Sequence, residues 1–273
     1  MRTVATLVVL FIALLLLLRL FENRLVFYPF KYPQGTWHPE WFGLQVEDCT
    51  FTAPDGANLH GWFVKNDSAL ATLLWCHGNA GNITDRLDNL RQLAKLPLQI
   101  FIFDYRGYGK SEGSPHEAGV YLDAEAAYDY LISRDEVTKD RMIIFGRSLG
   151  GAVAVDLATK RACAGLILES TFTHAKDMAR VAFPGLPVKY IMKSRFDSVS
   201  KIKQIEAPVF FIHGTADRTV PFELGRQLYA AANQPKAFWQ IEGADHNDTY
   251  LVAGREYFDR LFEFVQTTCF ENR

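Results

Sequence analysis

The sequence predicts an α/β fold: an open, doubly wound, mostly parallel sheet of about eight strands, with helices on both faces and a small cap segment. Three observations lead there. Short apolar runs alternate with amphipathic stretches along most of the chain. Most of those runs are apolar throughout, as strands covered on both faces are, rather than alternating. Residues able to do chemistry stand directly after the runs, where open α/β sheets hold their ligands.

The first 24 residues read as a separate unit. Val4–Leu18 carries no charge and one polar residue, Thr6. Arg19 can extend its charged head to an interface, so Thr3–Phe21 act together. At ~1.5 Å per residue they reach roughly 28 Å, close to a hydrocarbon core of about 30 Å. A run apolar on every face has no place as the first helix of a water-facing domain. From Leu14 to Gln34 there is no Ala, Gly, Ser, Thr or Cys, so a signal peptidase finds no small residue to cut after. The expectation is an uncleaved single-pass membrane anchor over 1–24 and a catalytic domain over 25–273. Arg2 precedes the apolar run, and Arg19, Arg24 and Lys31 follow it. That balance assigns no side of the membrane.

The strands and helices follow in order. Leu44–Thr52 and Leu59–Phe63 read as a hairpin around the Asp55-Gly56 turn. Ala71–Cys76, Gln99–Phe103, Met142–Phe145, Ala164–Leu168, Val209–His213 and Ala237–Ile241 read as buried strands. Ile83–Lys95, Ala118–Ser133, Ala152–Arg161 and Phe222–Ala232 read as the helices between them, and Val252–Thr267 closes the chain. Thr171–Ser200 is longer than an ordinary crossover and holds Phe183-Pro184-Gly185-Leu186-Pro187. It reads as a small cap over the site, or else as an ordinary crossover helix with a Pro-rich loop.

Composition narrows the function. Half the chain, 49%, is hydrophobic, enough for a large core, and the net charge of −2 gives no pointer to nucleic acid or to an anionic partner. The four cysteines form no C-x-x-C pair and no cluster with metal-ligand spacing. Cys76 and Cys163 sit in or beside strand-like runs and read as small buried hydrophobes. No metal or cofactor is expected.

The chemistry centres on Gly146-Arg147-Ser148-Leu149-Gly150-Gly151, which follows an apolar run and opens a helix-like stretch. That setting puts a serine on a tight strand-to-helix turn with its hydroxyl exposed. A serine needs a general base in contact, and the base needs an acid to hold its tautomer. In this architecture the three occur in the order Ser, Asp or Glu, His. Asp217 and Glu169 both stand after strands, and Asp217, in the turn His213–Pro221, is preferred. Of seven histidines, His246 alone follows both Asp217 and the last strand. Two backbone N–H groups are expected to receive the oxyanion: Leu149, and Asn79 in the glycine-containing loop His77–Asn82.

Five segments now carry a resemblance: HGNAGN at His77–Asn82, FDYRGYGKSEG at Phe103–Gly113, FGRSLGGAVA at Phe145–Ala154, HGTADRTVP at His213–Pro221 and HND at His246–Asp248. The chain resembles the α/β-hydrolase superfamily and, within it, the bud-emergence-type single-pass membrane serine hydrolases. The resemblance implies the α/β-hydrolase fold and the triad Ser148, Asp217 and His246. It also implies that Asp104–Gly113 shapes the floor of the site, where Arg106 reads as a structural donor. The branch acts on varied esters, thioesters and lipids, so membership names no substrate.

The expectation is therefore a membrane-anchored serine hydrolase (an esterase, lipase or thioesterase) that cleaves carboxylic esters or thioesters through an acyl-enzyme. Its partners would be a small ester, thioester or lipid substrate, or an acylated protein, together with the membrane through the anchor, and not nucleic acid. Two alternatives stay open: a serine peptidase with the same triad, and a non-catalytic binding protein on the same fold. Oligomeric state is not legible. Asn66, Asn82 and Asn247 match the glycosylation pattern, but a glycan at either of the last two would obstruct the site, so those two read as chance.

Overall fold

The structure is a computed structural model that describes residues 2–271; Met1 and Asn272–Arg273 lie outside the described residues. Its strands are β1 (Tyr28–Pro29), β2 (Glu47–Thr52), β3 (Asn58–Val64), β4 (Ala71–Cys76), β5 (Ala80–Gly81), β6 (Leu98–Asp104), β7 (Met142–Arg147), β8 (Gly165–Glu169), β9 (Val209–Gly214) and β10 (Lys236–Ile241). Its helices are α1 (Arg2–Leu20), α2 (Glu22–Val26), α3 (Leu87–Leu93), α4 (Glu117–Ile132), α5 (Leu149–Ala158), α6 (Ala175–Ala182), α7 (Ser198–Lys201), α8 (Phe222–Ala231), α9 (Thr249–Val252) and α10 (Arg255–Gln266).

Eight strands form one sheet in the order β10-β9-β8-β7-β4-β6-β3-β2. Only the β2–β3 and β3–β6 pairings are antiparallel. Alternate side chains leave each strand on opposite faces, and both faces are covered. Leu74, Phe101, Phe103 and Ile144 pack with Val120 and Ala124 of α4 and Val153 of α5. Trp75, Ile102, Phe145 and Ile212 pack with Leu90 of α3 and Tyr257 and Leu261 of α10. This double cover is why β4, β6, β7 and β9 are buried at every position. The α/β-hydrolase fold is present, and Thr171–Ser200 holds α6 and a 3-10 turn at Pro187–Tyr190.

Element ends differ from expectation for local reasons. The helix expected over Ile83–Lys95 opens as a 3-10 turn. There the Asn82 side chain accepts the Thr84 N–H, and the Asp85 carboxylate accepts the Asn82 N–H. Helix α5 starts at Leu149 rather than Ala152, because the Ser148 turn runs straight into it. The closing helix is split by Gly254, which adopts φ 56°. The two-residue β1–β5 pair leaves no periodicity to read and was not expected.

Close packing at the turn depends on glycine. A Cβ on Gly150 would run into the Cys76 and His77 carbonyls, main-chain atoms that cannot swing away. Gly150→Ala is therefore expected to lower stability by at least ~1–3 kcal/mol, the usual cost of forcing atoms into a packed core. A urea unfolding midpoint checks this.

The N-terminal helix stands outside the body. Val4, Leu7, Leu10, Leu16 and Leu20 are all exposed, and the helix is long and apolar enough to cross a membrane. Its last turn and the following α2 do touch the domain. The buried Glu22 accepts the Lys193 and Ser194 N–H groups, each at 2.6 Å, and Arg19 Nη1 donates to the Ile191 carbonyl at 2.7 Å.

Candidate active site

Ser148 sits between β7 and α5 with φ 54° and ψ −122°, a conformation unfavourable for any residue with a Cβ. Its Oγ lies 3.0 Å from His246 Nε2, and His246 Nδ1 lies 2.8 Å from Asp217 Oδ2. With the proton on Nδ1 donated to Asp217, Nε2 is free to accept the serine hydroxyl hydrogen. The structure thus brings three residues from distant stretches of chain into one hydrogen-bonded line.

Asp217 is built to stay ionised. Burial alone would raise its pKa, but hydrogen bonds from His213 and His246 and from the Val220 N–H hold it well below the usual carboxylate range. Its Oδ1 accepts the Thr219 and Val220 N–H groups at 2.9 and 2.7 Å. Glu169, the other candidate acid, points elsewhere. It accepts hydrogen bonds from the Thr249 hydroxyl and, at 2.7 Å, from Tyr257 OH, and Arg147 Nε lies 3.4 Å away. Glu169 ties β8 to α9 and α10.

The loop carrying His246 is braced by groups that sequence reasoning passed over. Arg147 Nη2 donates to the His246 carbonyl at 2.7 Å. The Asp245 carboxylate accepts the His246 N–H at 2.8 Å and is gripped in turn by Arg218. Arg147 lies inside the motif that identified Ser148, but nothing local says that its side chain crosses to residue 246.

The loop His77–Asn82 runs against the nucleophile: a Cβ on Gly78 would lie 3.5 Å from Ser148 Cβ. Its carbonyls are held from the other side. Tyr105 OH donates to the His77 carbonyl at 3.0 Å, and Tyr108 OH to the Asn79 carbonyl at 2.7 Å. Phe30 N donates to the Gly81 carbonyl at 3.0 Å, extending the β1–β5 pair. Among the described residues the Asn79 N–H has no protein acceptor. Leu149 opens α5, so its N–H is one of the helix donors without an intrahelical acceptor. Burial, aided by the nearby Arg86 charge, pushes the His77 pKa down to about 3, so this histidine is neutral.

Arg106 does not enter this line; it pairs with Asp55 and Asp123. Asn82 is fully buried and bonds the Phe30 and Gln34 carbonyls, leaving no room for a glycan.

Ser148 and His246 open onto a cavity of about 760 Å³. Phe172 and Met178 of the segment Thr171–Ser200 line it, as do Leu18 of α1 and Leu25 of α2. The expected boundary after residue 24 falls within α2, and Glu22 and Leu25, on either side of it, both face this cavity.

A family described as serine aminopeptidase, S33 (Hydrolase_4), matches residues 67–197. The Arabidopsis thaliana alpha/beta hydrolase domain-containing protein WAV2 is 35% identical over 284 residues, covering 94% of this chain and 91% of that protein. The Schizosaccharomyces pombe protein bem46 is 34% identical, covering 90% of this chain and 86% of that one. Among solved structures, the Pyrococcus furiosus esterase Pf2001 superposes with a TM-score of 0.75 at 22% identity, covering 88% of this chain and 97% of that chain. With the sheet order, the strained serine turn and these relatives together, the chain belongs to the α/β-hydrolase family.

Proposed function

We propose that this protein is a membrane-anchored serine hydrolase that cleaves carboxylic esters or thioesters. The observation that carries the reading is the Ser148–His246–Asp217 hydrogen-bonded line opening onto a largely apolar cavity. Ser148 Oγ attacks the carbonyl carbon as its proton passes to His246 Nε2. The N–H groups of Asn79 and Leu149 receive the oxyanion, where losing one such donor typically costs roughly 3 kcal/mol of barrier. Collapse expels the alcohol or thiol, which takes the proton from His246. Water, deprotonated by His246, then attacks the acyl-serine, releasing the acid and restoring Ser148. Asp217 keeps the imidazole oriented and stabilises its cationic form. These steps need no metal or cofactor.

Residues 1–24 serve as the anchor and 25–273 as the catalytic domain. A site walled in part by the end of the anchor suits lipid or acylated substrates presented at a bilayer. A fluorophosphonate probe is expected to label the wild type and not Ser148→Ala. Labelling that persists in the variant would refute the assigned nucleophile, and an unlabelled wild type would favour a non-catalytic binding protein. The match to a serine aminopeptidase family supports a second reading, cleavage of amides. Turnover of p-nitrophenyl esters of increasing chain length, set against aminoacyl amides, separates the two; faster amide turnover would favour the peptidase.

A further inference from the structure

We infer that the polar end of the Ser148 cavity is a subsite for an anionic group, formed by Arg86 and Asn89. The substrate is then a single-chain acyl ester or thioester bearing a phosphate-like charge beyond the reactive carbonyl. This deepens the hydrolase reading above and rests on it.

The cavity has two characters. Leu18, Leu25, Met178 and Ile191 supply apolar wall, while Arg86, Asn89 and Arg147, together with the acids Glu22 and Asp85, supply polar wall. Asn89, on α3, is only 3% exposed, and neither its Oδ1 nor its Nδ2 has a hydrogen-bond partner within the protein. A buried amide with nothing to bond loses its hydration uncompensated unless a ligand supplies the bonds. Arg86 Nη2 donates to the Ala80 carbonyl at 2.6 Å, one residue beyond Asn79, which places it beside the proposed oxyanion loop. Its Nε is buried and unpartnered. A purely structural tie to Ala80 uses one donor and leaves the rest of the guanidinium unspent.

No carboxylate touches Arg86, although Asp85 and Asp104 lie close enough to favour its charge. Among the described residues it makes no ion pair within 4.0 Å, and each neighbouring acid accepts a hydrogen bond from another group. Asp85 accepts the Asn82 N–H at 2.8 Å, and Asp104 the Ile83 N–H at 3.0 Å. Asp88 takes Arg91 at 3.0 Å and Tyr250 OH at 3.1 Å. Arg147 adds a second positive charge, and its partner Glu169 is shared with Thr249 and Tyr257. Burial, reinforced by the Arg147 charge, pushes the Arg86 pKa down to about 10. An anion would relieve that strain, and the guanidinium fork suits phosphate and carboxylate oxygens. The chain's net charge of −2 hides this local positive site.

The test uses the full chain in neutral phosphatidylcholine nanodiscs, with empty discs as blank, and ether ligands that cannot be hydrolysed. By calorimetry, 1-O-octylglycerol 3-phosphate is expected to bind about tenfold or more tightly than 1-O-octylglycerol at low salt. The margin should shrink as salt rises. Arg86→Gln should erase the difference between the two ligands, and Arg86→Lys should restore part of it. S-octyl coenzyme A forms a second arm: tighter binding than the lipid phosphate assigns the charge to a nucleotide thioester, weaker binding to a lipid head group. Equal affinity for charged and neutral ethers in the wild type would overturn the inference. So would an Arg86→Gln variant that weakens both alike, or inorganic phosphate binding as well as the amphiphile. Ether binding needs no turnover, so a protein that shows the charge preference yet resists fluorophosphonate sinks the hydrolase reading and leaves the subsite standing.

Discussion

Alanine at Ser148 is expected to cut kcat toward a short acyl ester by about 10⁴- to 10⁶-fold, leaving only the rate supplied by binding and the proposed oxyanion donors. Alanine keeps a Cβ at the same positive φ, so the strain of the turn is unchanged and the thermal midpoint should barely move. His246→Ala, alone or combined with Ser148→Ala, should give a similar loss, because groups that act as a unit do not add. Asp217→Asn should cost about 10⁴-fold by presenting the wrong imidazole tautomer. Glu169→Gln is the control. It loosens the contacts from β8 to Thr249 and Tyr257 and should show in unfolding far more than in kcat. Steady-state kinetics on p-nitrophenyl butyrate, paired with urea unfolding, separate the two acids. A Glu169→Gln variant that loses 10⁴-fold while Asp217→Asn keeps its rate would reverse the assignment.

Arg106→Ala is expected to destabilise the domain by about 3–5 kcal/mol, the cost of stranding a buried charge by removing its partner. Arg106 is 5% exposed and Asp123 fully buried. Their side chains meet at 2.7 Å, and Asp123 also accepts the Arg106 N–H at 2.8 Å. Asp55, which is exposed, adds a second contact at 2.7 Å of smaller weight. The loss should depend on pH with a definite sign. Burial already raises the Asp123 pKa with Arg106 in place, and removing Arg106 raises it further. A carboxyl whose folded pKa exceeds its unfolded value costs stability at neutral pH, and regains it as pH falls through the folded value. Asp55 is the reverse case. The Arg106 hydrogen bond holds its pKa low, a contribution present above the unfolded carboxyl pKa and lost on acidification. Both effects make the gap between wild type and variant narrow as pH falls. Unfolding midpoints measured at neutral and mildly acidic pH check the sign. A gap that widens on acidification would contradict the pairing.

Much of this architecture was legible before any coordinates. The eight sheet strands lie on the eight expected runs; β4, β6, β7, β8 and β9 were the plainest, because a strand covered on both faces leaves little room for polar residues, and that shows in about six residues of sequence. The serine turn was legible because its glycines answer a local steric demand. Asp217 and His246 were legible from chain order and from their places after strands. The β1–β5 pair was not, since two residues carry no period. Nor were the roles of Glu169 and Arg147. Glu169 looks like an acid awaiting a histidine, and only the fold shows it accepting from Thr249 and Tyr257.

The division follows from the range of the forces involved. Sequence by itself determined the order of elements, the position of the strained turn and the apolar N-terminal run, because periodicity, glycine sterics and hydrophobic length act over neighbouring residues. Only the tertiary structure decided which acid faces His246, that Arg147 braces residue 246 from 99 positions away, and that Glu22, just past the N-terminal helix, accepts a bond from Lys193, 171 positions on. It also decided that Asn89 and Arg86 share a cavity with Ser148 and keep donors and acceptors unpaired. Side-chain hydrogen bonds reach only about 3 Å, so their partners are set by how the sheet brings distant loops to one edge, and that closure leaves no mark in local sequence.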